Sequence, residues 1–396
     1  MAVTVWRGSM PPHLPMARPS DGVRFADLAP IAGPSAPSPP VADGGERVKR
    51  WAGHGGPGFR APAVWYWTMK YGLAYLGTHL PDTLERELNA IKAEGFDEVI
   101  LACQENDFMH LVGKVENAPR IARKAGLTLL VNLWGFASAF GGGRISRLVA
   151  DYPETMVVGP DGRPRYIEWP KGNRIQPGCP NHPLVAERAR GFCRKAAEAG
   201  AHGFFWDEPT KFDCWCTACR ALFREKRGKA MEEAKEGELK EFRRFSVARW
   251  VEEMSRSVKG LGKNIVTSTC VMPSDRDAWI DAAGCPSLDS LGTDPYWMLE
   301  GKPVASVTEP SRTLVAEARR AGKSPHLWLQ CWDIRKGREG ELVEASRLLA
   351  AENPDTLYVW AWRGQEGTTE RCDDPAEAWK RALEGFRAAG MKHPGG

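Results

Sequence analysis

Gly203-Phe-Phe-Trp-Asp-Glu-Pro209 is an apolar run that stops abruptly at two carboxylates and a proline. An apolar run this short reads as a strand buried on both faces, as the strands of a closed parallel barrel are. Its C-terminal end would then deliver Asp207 and Glu208 to the barrel mouth, where such folds keep their chemistry. Neighbouring strand residues point to opposite faces, so both carboxylates can meet one ligand only if the strand breaks between them. Pro209 favours that break by biasing Glu208 toward extended geometry. The alternative is that one carboxylate caps a helix or pairs with Arg220.

The rhythm on either side of this run supports a barrel. Ala63–Trp67, Asp97–Cys103 and Leu127–Trp134 are apolar enough for the first three strands, with Gly203 opening the fourth. Asn264–Cys270, Leu288–Asp294, Pro325–Gln330 and Thr356–Trp362 complete eight. Amphipathic segments separate them, several with proline at the start and glycine at the end: Pro81–Gly95, Asn117–Gly126, Pro183–Gly200, Val304–Gly322, Glu339–Asn353 and Asp374–Gly390. A longer charged helical stretch, Ala221–Gly260, reads as an insertion after strand 4. The expected fold is α/β, a (β/α)8 TIM barrel over residues 63–390, with a tail at 391–396; a doubly wound open sheet is the competing architecture. Residues 1–62, rich in Pro, Gly and Ala, form an irregular leader without sustained period.

Composition narrows the function. Lys and Arg number 54 against 50 Asp and Glu, a net +4 with no concentrated basic run, so neither nucleic acid nor an anionic membrane is an expected partner. No apolar segment reaches the roughly 18 residues of a spanning helix. Ala2–Trp6 is too short for an export signal and is followed by Arg7 and Pro11-Pro12. The 10 cysteines therefore read as thiols and metal ligands in a cytoplasmic protein rather than as disulfides. Sixteen tryptophans are many for 396 residues; most would be core, and those at strand ends can stack on ligand faces.

The strand-end rule nominates the remaining mouth residues. They are Trp67 after strand 1, Glu105 after strand 2, Trp134 after strand 3 and Trp206 within strand 4. Tyr296 and Trp297 follow strand 6, Gln330, Trp332 and Asp333 come from strand 7, and Trp362 from strand 8. Asp294, between a glycine-led strand and Pro-Tyr-Trp, is the strongest additional catalytic candidate. Asp333 serves equally well as a cap for the loop before Lys336.

Cys214-Trp-Cys216-Thr-Ala-Cys219 brings three thiolates close enough for a tetrahedral zinc. The fourth ligand must come from elsewhere: Cys179 is preferred, His182 is the reserve and Cys103 a distant third. Such a site would be closed and structural. Cys193, Cys270, Cys285, Cys331 and Cys372 have no comparable spacing and read as isolated thiols.

These motifs resemble a known group. Asp161-Gly-Arg-Pro164, Cys179-Pro-Asn-His-Pro183, Trp206-Asp-Glu208 and the segment from Cys214 to Phe223-Arg224 are similar to the catalytic half of the family forty-two β-galactosidases, clan A glycoside hydrolases, over roughly residues 60–300. The resemblance implies Glu208 as acid/base and Cys179, Cys214, Cys216 and Cys219 as zinc ligands. Two features depart from it. Asp207 stands where that family has asparagine, and the seventh strand, where the clan's nucleophilic glutamate belongs, offers only Gln330, Cys331 and Asp333. Retention through a protein nucleophile needs two carboxyls about 5–5.5 Å apart.

Asp207-Glu208-Pro209 also resembles the substrate-assisted N-acetylhexosaminidases, in which the sugar's acetamido oxygen attacks the anomeric carbon and no protein nucleophile is required. The expected function is thus hydrolysis of a glycan or glycoside with Glu208 as general acid/base. Asp207 would orient an acetamide or bind a ring hydroxyl. The alternatives are a retaining hydrolase with Asp333 or Asp294 as nucleophile, and a non-catalytic sugar-binding barrel. Zinc is the one cofactor expected and a carbohydrate the one partner, with a homo-oligomer left open.

Overall fold

Parallel strands and amphipathic helices alternate around a closed barrel. The computed structural model describes residues 69–392 apart from 142–144, 170–172, 210–211 and 263. The leader at 1–62, the proposed strand Ala63–Trp67 with its Trp67, and the end of the tail lie outside the described residues.

The barrel strands are β1 (Lys70–Tyr75), β2 (Glu98–Ala102), β3 (Thr128–Asn132), β6 (Gly203–Asp207), β7 (Val266–Cys270), β8 (Ser290–Thr293), β9 (Ser324–Gln330) and β10 (Thr356–Trp360). All pair in parallel and close in the order β1-β10-β9-β8-β7-β6-β3-β2. A small antiparallel pair, β4 (Ile167–Trp169) and β5 (Asn173–Ile175), stands apart from them. This is the (β/α)8 barrel expected from the alternation of apolar runs and amphipathic helices.

The helices are α1 (Pro81–Ala93), α2 (Glu105–Met109), α3 (Gly113–Lys124), α4 (Arg147–Asp151), α5 (Pro183–Glu198), α6 (Thr217–Arg227), α7 (Glu236–Lys259), α8 (Arg276–Ala283), α9 (Thr308–Arg320), α10 (Glu341–Ala351) and α11 (Pro375–Ala388). Proline at the first turn starts α1, α5 and α11, where its missing N–H leaves no helical bond unmade.

Two expectations are corrected. The barrel's first strand within the described residues is Lys70–Tyr75, not the run that begins at Ala63. The stretch Ala221–Gly260 is only partly an insertion: α7 packs on α5, α8, β6 and β7 and fills the barrel's own fourth helical position. The added element is α6 with the cysteine loop before it.

Period-two alternation sorts side chains between two cores. Phe205 on β6 points inward to a cluster with Ile100, Leu130, Trp328, Tyr358 and Trp360. Phe204 and Trp206 point outward into the larger core between strands and helices. No helix of the described residues is long and apolar enough to cross a membrane.

Candidate active site and cysteine cluster

Inward alternation along β6 continues to its last residue, so Asp207 faces the barrel lumen and is buried. Regular strand geometry would turn Glu208 away. It does not continue: Glu208 still donates its backbone N–H to the Cys270 carbonyl at 3.0 Å, and its φ is then 37°. The expected break is present, but through a left-handed conformation, not the extended one that Pro209 favours. A bulky residue in that region carries strain, on the order of 1–3 kcal/mol, and persists only when its surroundings over-determine it. The bridge between Phe140 and Pro209 holds the following residue.

The turn brings Glu208 to Asp294. Glu208 donates a hydrogen bond to Asp294, as does the Cys270 thiol. Asn132 Nδ2 donates to Asp207 Oδ2 at 2.9 Å. Gly141, at φ 57°, packs so closely on the Asp207 carboxylate that a β-carbon there would collide with it. Three carboxyl groups therefore share one desolvated space.

Their acidities follow from that crowding. Burial and the adjacent Glu208 raise Asp207 to about 8, against the opposing hydrogen bond from Asn132. Burial raises Asp294 to about 7. Glu208 is pushed well above the usual carboxylate range by burial and then by Asp294. Near neutral pH the Glu208 carboxyl is the proton donor of the group.

Aromatic rings wall this space. Tyr296 lies edge-on to Trp332 at 5.6 Å, and Trp134 meets Trp360 at 5.8 Å. Below them Trp328 stacks on Tyr358 at 4.7 Å. Of the mouth residues nominated by sequence, Trp134, Asp207, Glu208, Asp294, Tyr296 and Trp332 converge here. Asn132, Cys270 and Trp328 also belong, and the sequence reading does not nominate them. Asn132 ends β3 as Asp207 ends β6; the strand-end rule misses it because the apolar run continues to Trp134.

Other nominations are corrected. Trp206 points outward and donates Nε1–H to Ser255 Oγ of α7 at 2.9 Å. Trp297 is buried in the outer core and donates to Glu341 at 2.7 Å. Trp362 packs edge-on to Tyr75 and donates to Glu94 at 3.4 Å. The buried carboxylate of Glu105 accepts from Ala137 N–H and Ser146 Oγ on one oxygen and from Leu148 N–H on the other, so it ties α2 to the loop after β3. Gln330 is fixed by backbone as well: it accepts from Met298 N–H and donates to the Trp332 carbonyl, both at 3.1 Å. Asp333 pairs with Arg335 at 3.3 Å. Arg220 takes Glu232 as its partner rather than Asp207 or Glu208.

The cysteines form a second centre. Sulfurs of Cys179, Cys214, Cys216 and Cys219 all lie within 4.8 Å of one another and all four residues are buried. Cys179 Sγ and Cys219 Sγ are 3.4 Å apart. Hydrogen bonds from Cys179 and the other two drive the Cys216 thiol strongly down, toward the thiolate that a metal binds. Four sulfurs in one small volume fit a tetrahedral metal of the zinc type. Cys179 thus joins the trio, while His182 caps α5 by accepting from Leu184 N–H at 3.3 Å and Cys103 is buried in the outer core. Asn181 Nδ2 donates to Cys219 Sγ at 3.3 Å and to Ser246 Oγ at 2.8 Å, and Arg249 donates to its Oδ1 at 3.0 Å. That amide links the sulfurs to α7. The cluster packs with Phe223, Leu239 and Phe242 as a small core separate from the barrel.

The sequence matches no known family profile and no curated protein. Solved structures do resemble it. A cold-adapted β-galactosidase from Rahnella sp. R3 superposes with a TM-score of 0.61 at 14% identity, covering 82% of this chain and 57% of that one. A polyextremophilic β-galactosidase from the Antarctic haloarchaeon Halorubrum lacusprofundi gives 0.61 at 15%, covering 82% and 59%. An endo-β-1,4-mannanase from Thermotoga petrophila gives 0.52 at 10%, covering 82% and 77%. The chain thus spans less than two thirds of the β-galactosidases it resembles. The neighbours are glycoside hydrolases built on this barrel, and at these identities the likeness establishes the fold alone.

Proposed function

We propose that the protein hydrolyses a glycosidic bond, with Glu208 as general acid and then general base. The observation that carries this reading is the left-handed turn at Glu208. A strained backbone there aims a protonated carboxyl into the aromatic-walled mouth already occupied by Asp207. Zinc at Cys179, Cys214, Cys216 and Cys219 would brace the loop that follows, and it takes no part in bond cleavage.

The favoured route is substrate-assisted. Glu208 gives its proton to the leaving oxygen as the C–O bond breaks, and the sugar's own acetamido oxygen closes on the anomeric carbon. Asp207 accepts the acetamide N–H and holds the group in line. Glu208, now ionised, takes a proton from water, whose oxygen reopens the ring and restores the acetamide. The commitment of Gln330 to backbone and of Asp333 to Arg335 supports this route over a seventh-strand nucleophile. Asp294 accepts the Glu208 hydrogen bond and is thereby the acid's partner.

The test is a comparison of aryl N-acetylhexosaminides with aryl galactosides, together with trapping by a 2-fluoro glycoside. Turnover confined to the N-acetylated sugars with no labelled peptide is expected. A label on Asp294 or Asp333 would overturn substrate assistance and install a protein nucleophile.

The metal reading has its own test. Near-stoichiometric zinc is expected in protein purified under reducing conditions. Asn181→Ala should weaken zinc by about 10–100-fold in a chelator competition, because outer-shell donors orient and tune ligands. Unaltered affinity would remove Asn181 from that role.

A further inference from the structure

Buried polar atoms without a partner are few in folded proteins. Four of those among the described residues gather on adjoining barrel strands: Asn132 Oδ1 on β3, Asp294 Oδ1 just past β8, Trp328 Nε1 on β9 and Trp332 Nε1 just past it. Between them along the rim stand β6 and β7, which end in Asp207 and Cys270. The residues are bound into one group, since Asn132 also holds Asp207 and Asp294 also holds Glu208. Each unmade hydrogen bond leaves the desolvation cost of its atom uncompensated. A ligand that supplied all four would recover it at one place.

We infer that these four atoms line an enclosed subsite for one terminal sugar ring, so that the enzyme removes neutral pyranosides from chain ends. The inference rests on the hydrolase reading for the word enzyme, and on the orphaned atoms for the subsite. Two acceptors and two donors match a set of ring hydroxyls or an acetamide, each of which can both give and take. A uronate or a sugar phosphate would instead turn acceptor oxygens toward Asn132 Oδ1 and Asp294 and place its charge among three carboxyls. Enclosure argues for chain-end action. Trp134, Tyr296 and Trp360 are only 5%, 6% and 9% exposed, so the rings close over the carboxyls instead of lining an open groove along which a polymer could lie.

The experiment follows products from an oligosaccharide tagged at its reducing end, with the full chain in its metal-loaded form. Stepwise release of single sugars from the far end is expected from the first turnovers. Trp332→Phe keeps the ring and removes the N–H; KM should rise about three- to tenfold, the range for one lost hydrogen bond, with kcat held within about twofold. Trp250→Phe is the control. Its Nε1 is also unpartnered, but it lies in the outer core, and KM should not move.

Internal cleavage of the tagged chain overturns the inference and leaves the hydrolase reading standing. So does an unchanged KM in Trp332→Phe. Absence of hydrolysis, with a neutral monosaccharide still bound and weakened by Trp332→Phe, supports the subsite and overturns the hydrolase. Absence of both hydrolysis and monosaccharide binding overturns both.

Discussion

Glu208→Gln is expected to lower kcat on unactivated glycosides by about 10²–10⁴-fold, the usual contribution of a positioned proton donor. The fold should survive. Glutamine has the shape of the protonated acid that burial and Asp294 already enforce, and its amide can still donate to Asp294. The loss should depend on the leaving group. An aryl group that departs readily needs little proton transfer, so its first step should suffer least, while a sugar leaving group should suffer most. Steady-state rates on a series of glycosides graded by leaving-group basicity, beside a melting curve, would measure this. A variant that melts with the wild type and loses no activity on any member of the series would end the assignment. Uniform loss with early melting would point instead to a structural carboxyl.

Fold and site differ in how far the sequence makes them legible. Seven of the eight barrel strands announce themselves because both faces are buried and their residues are continuously apolar. The first does not. Lys70-Tyr-Gly-Leu-Ala-Tyr75 carries Gly72 because the Tyr358 ring occupies the space where a side chain would go, and this weakens the strand signal below that of Ala63–Trp67. The site is legible through Asp207, Glu208, Asp294 and the cysteines, whose chemistry has few uses in an apolar setting. Aromatic residues are harder. Trp206, Trp297 and Trp362 stand at strand ends where a sugar platform would be sought, yet one residue of register turns a side chain from lumen to outer core. The positive φ at Glu208 cannot be read from residue types, since Pro209 argues for the opposite.

The second large effect is on stability, and its sign is unusual. A carboxyl held below its ordinary pKa makes a protein more stable as pH increases. Asp207, at about 8, and Asp294, at about 7, are raised well above the ordinary 3.8, so between those limits the folded chain binds more protons than the unfolded one. Stability must then fall with rising pH, fully favourable below about 4 and increasingly lost up to the folded values. A pKa difference of 1 between folded and unfolded chain corresponds to about 1.4 kcal/mol, and the groups suppress one another's ionisation, so the joint effect is several kcal/mol rather than the sum of two. His326 acts oppositely. Burial lowers it to about 3, so its cost appears as pH falls below about 6.5. Above 6.5 that contribution is silent, and the buried thiols, Cys103 at about 12 for example, titrate only at higher pH. The window from pH 6.5 to 8 therefore isolates the mouth carboxyls. Wild-type protein should lose denaturant stability across it. Asp207→Asn, which keeps an oxygen for the Asn132 amide and removes the charge, should match wild type within about 1 kcal/mol at pH 6.5 and exceed it by at least that much at pH 8. A wild-type curve that is flat across the window, or a slope that Asp207→Asn leaves intact, would mean that the mouth admits enough water to ionise its acids at their ordinary values.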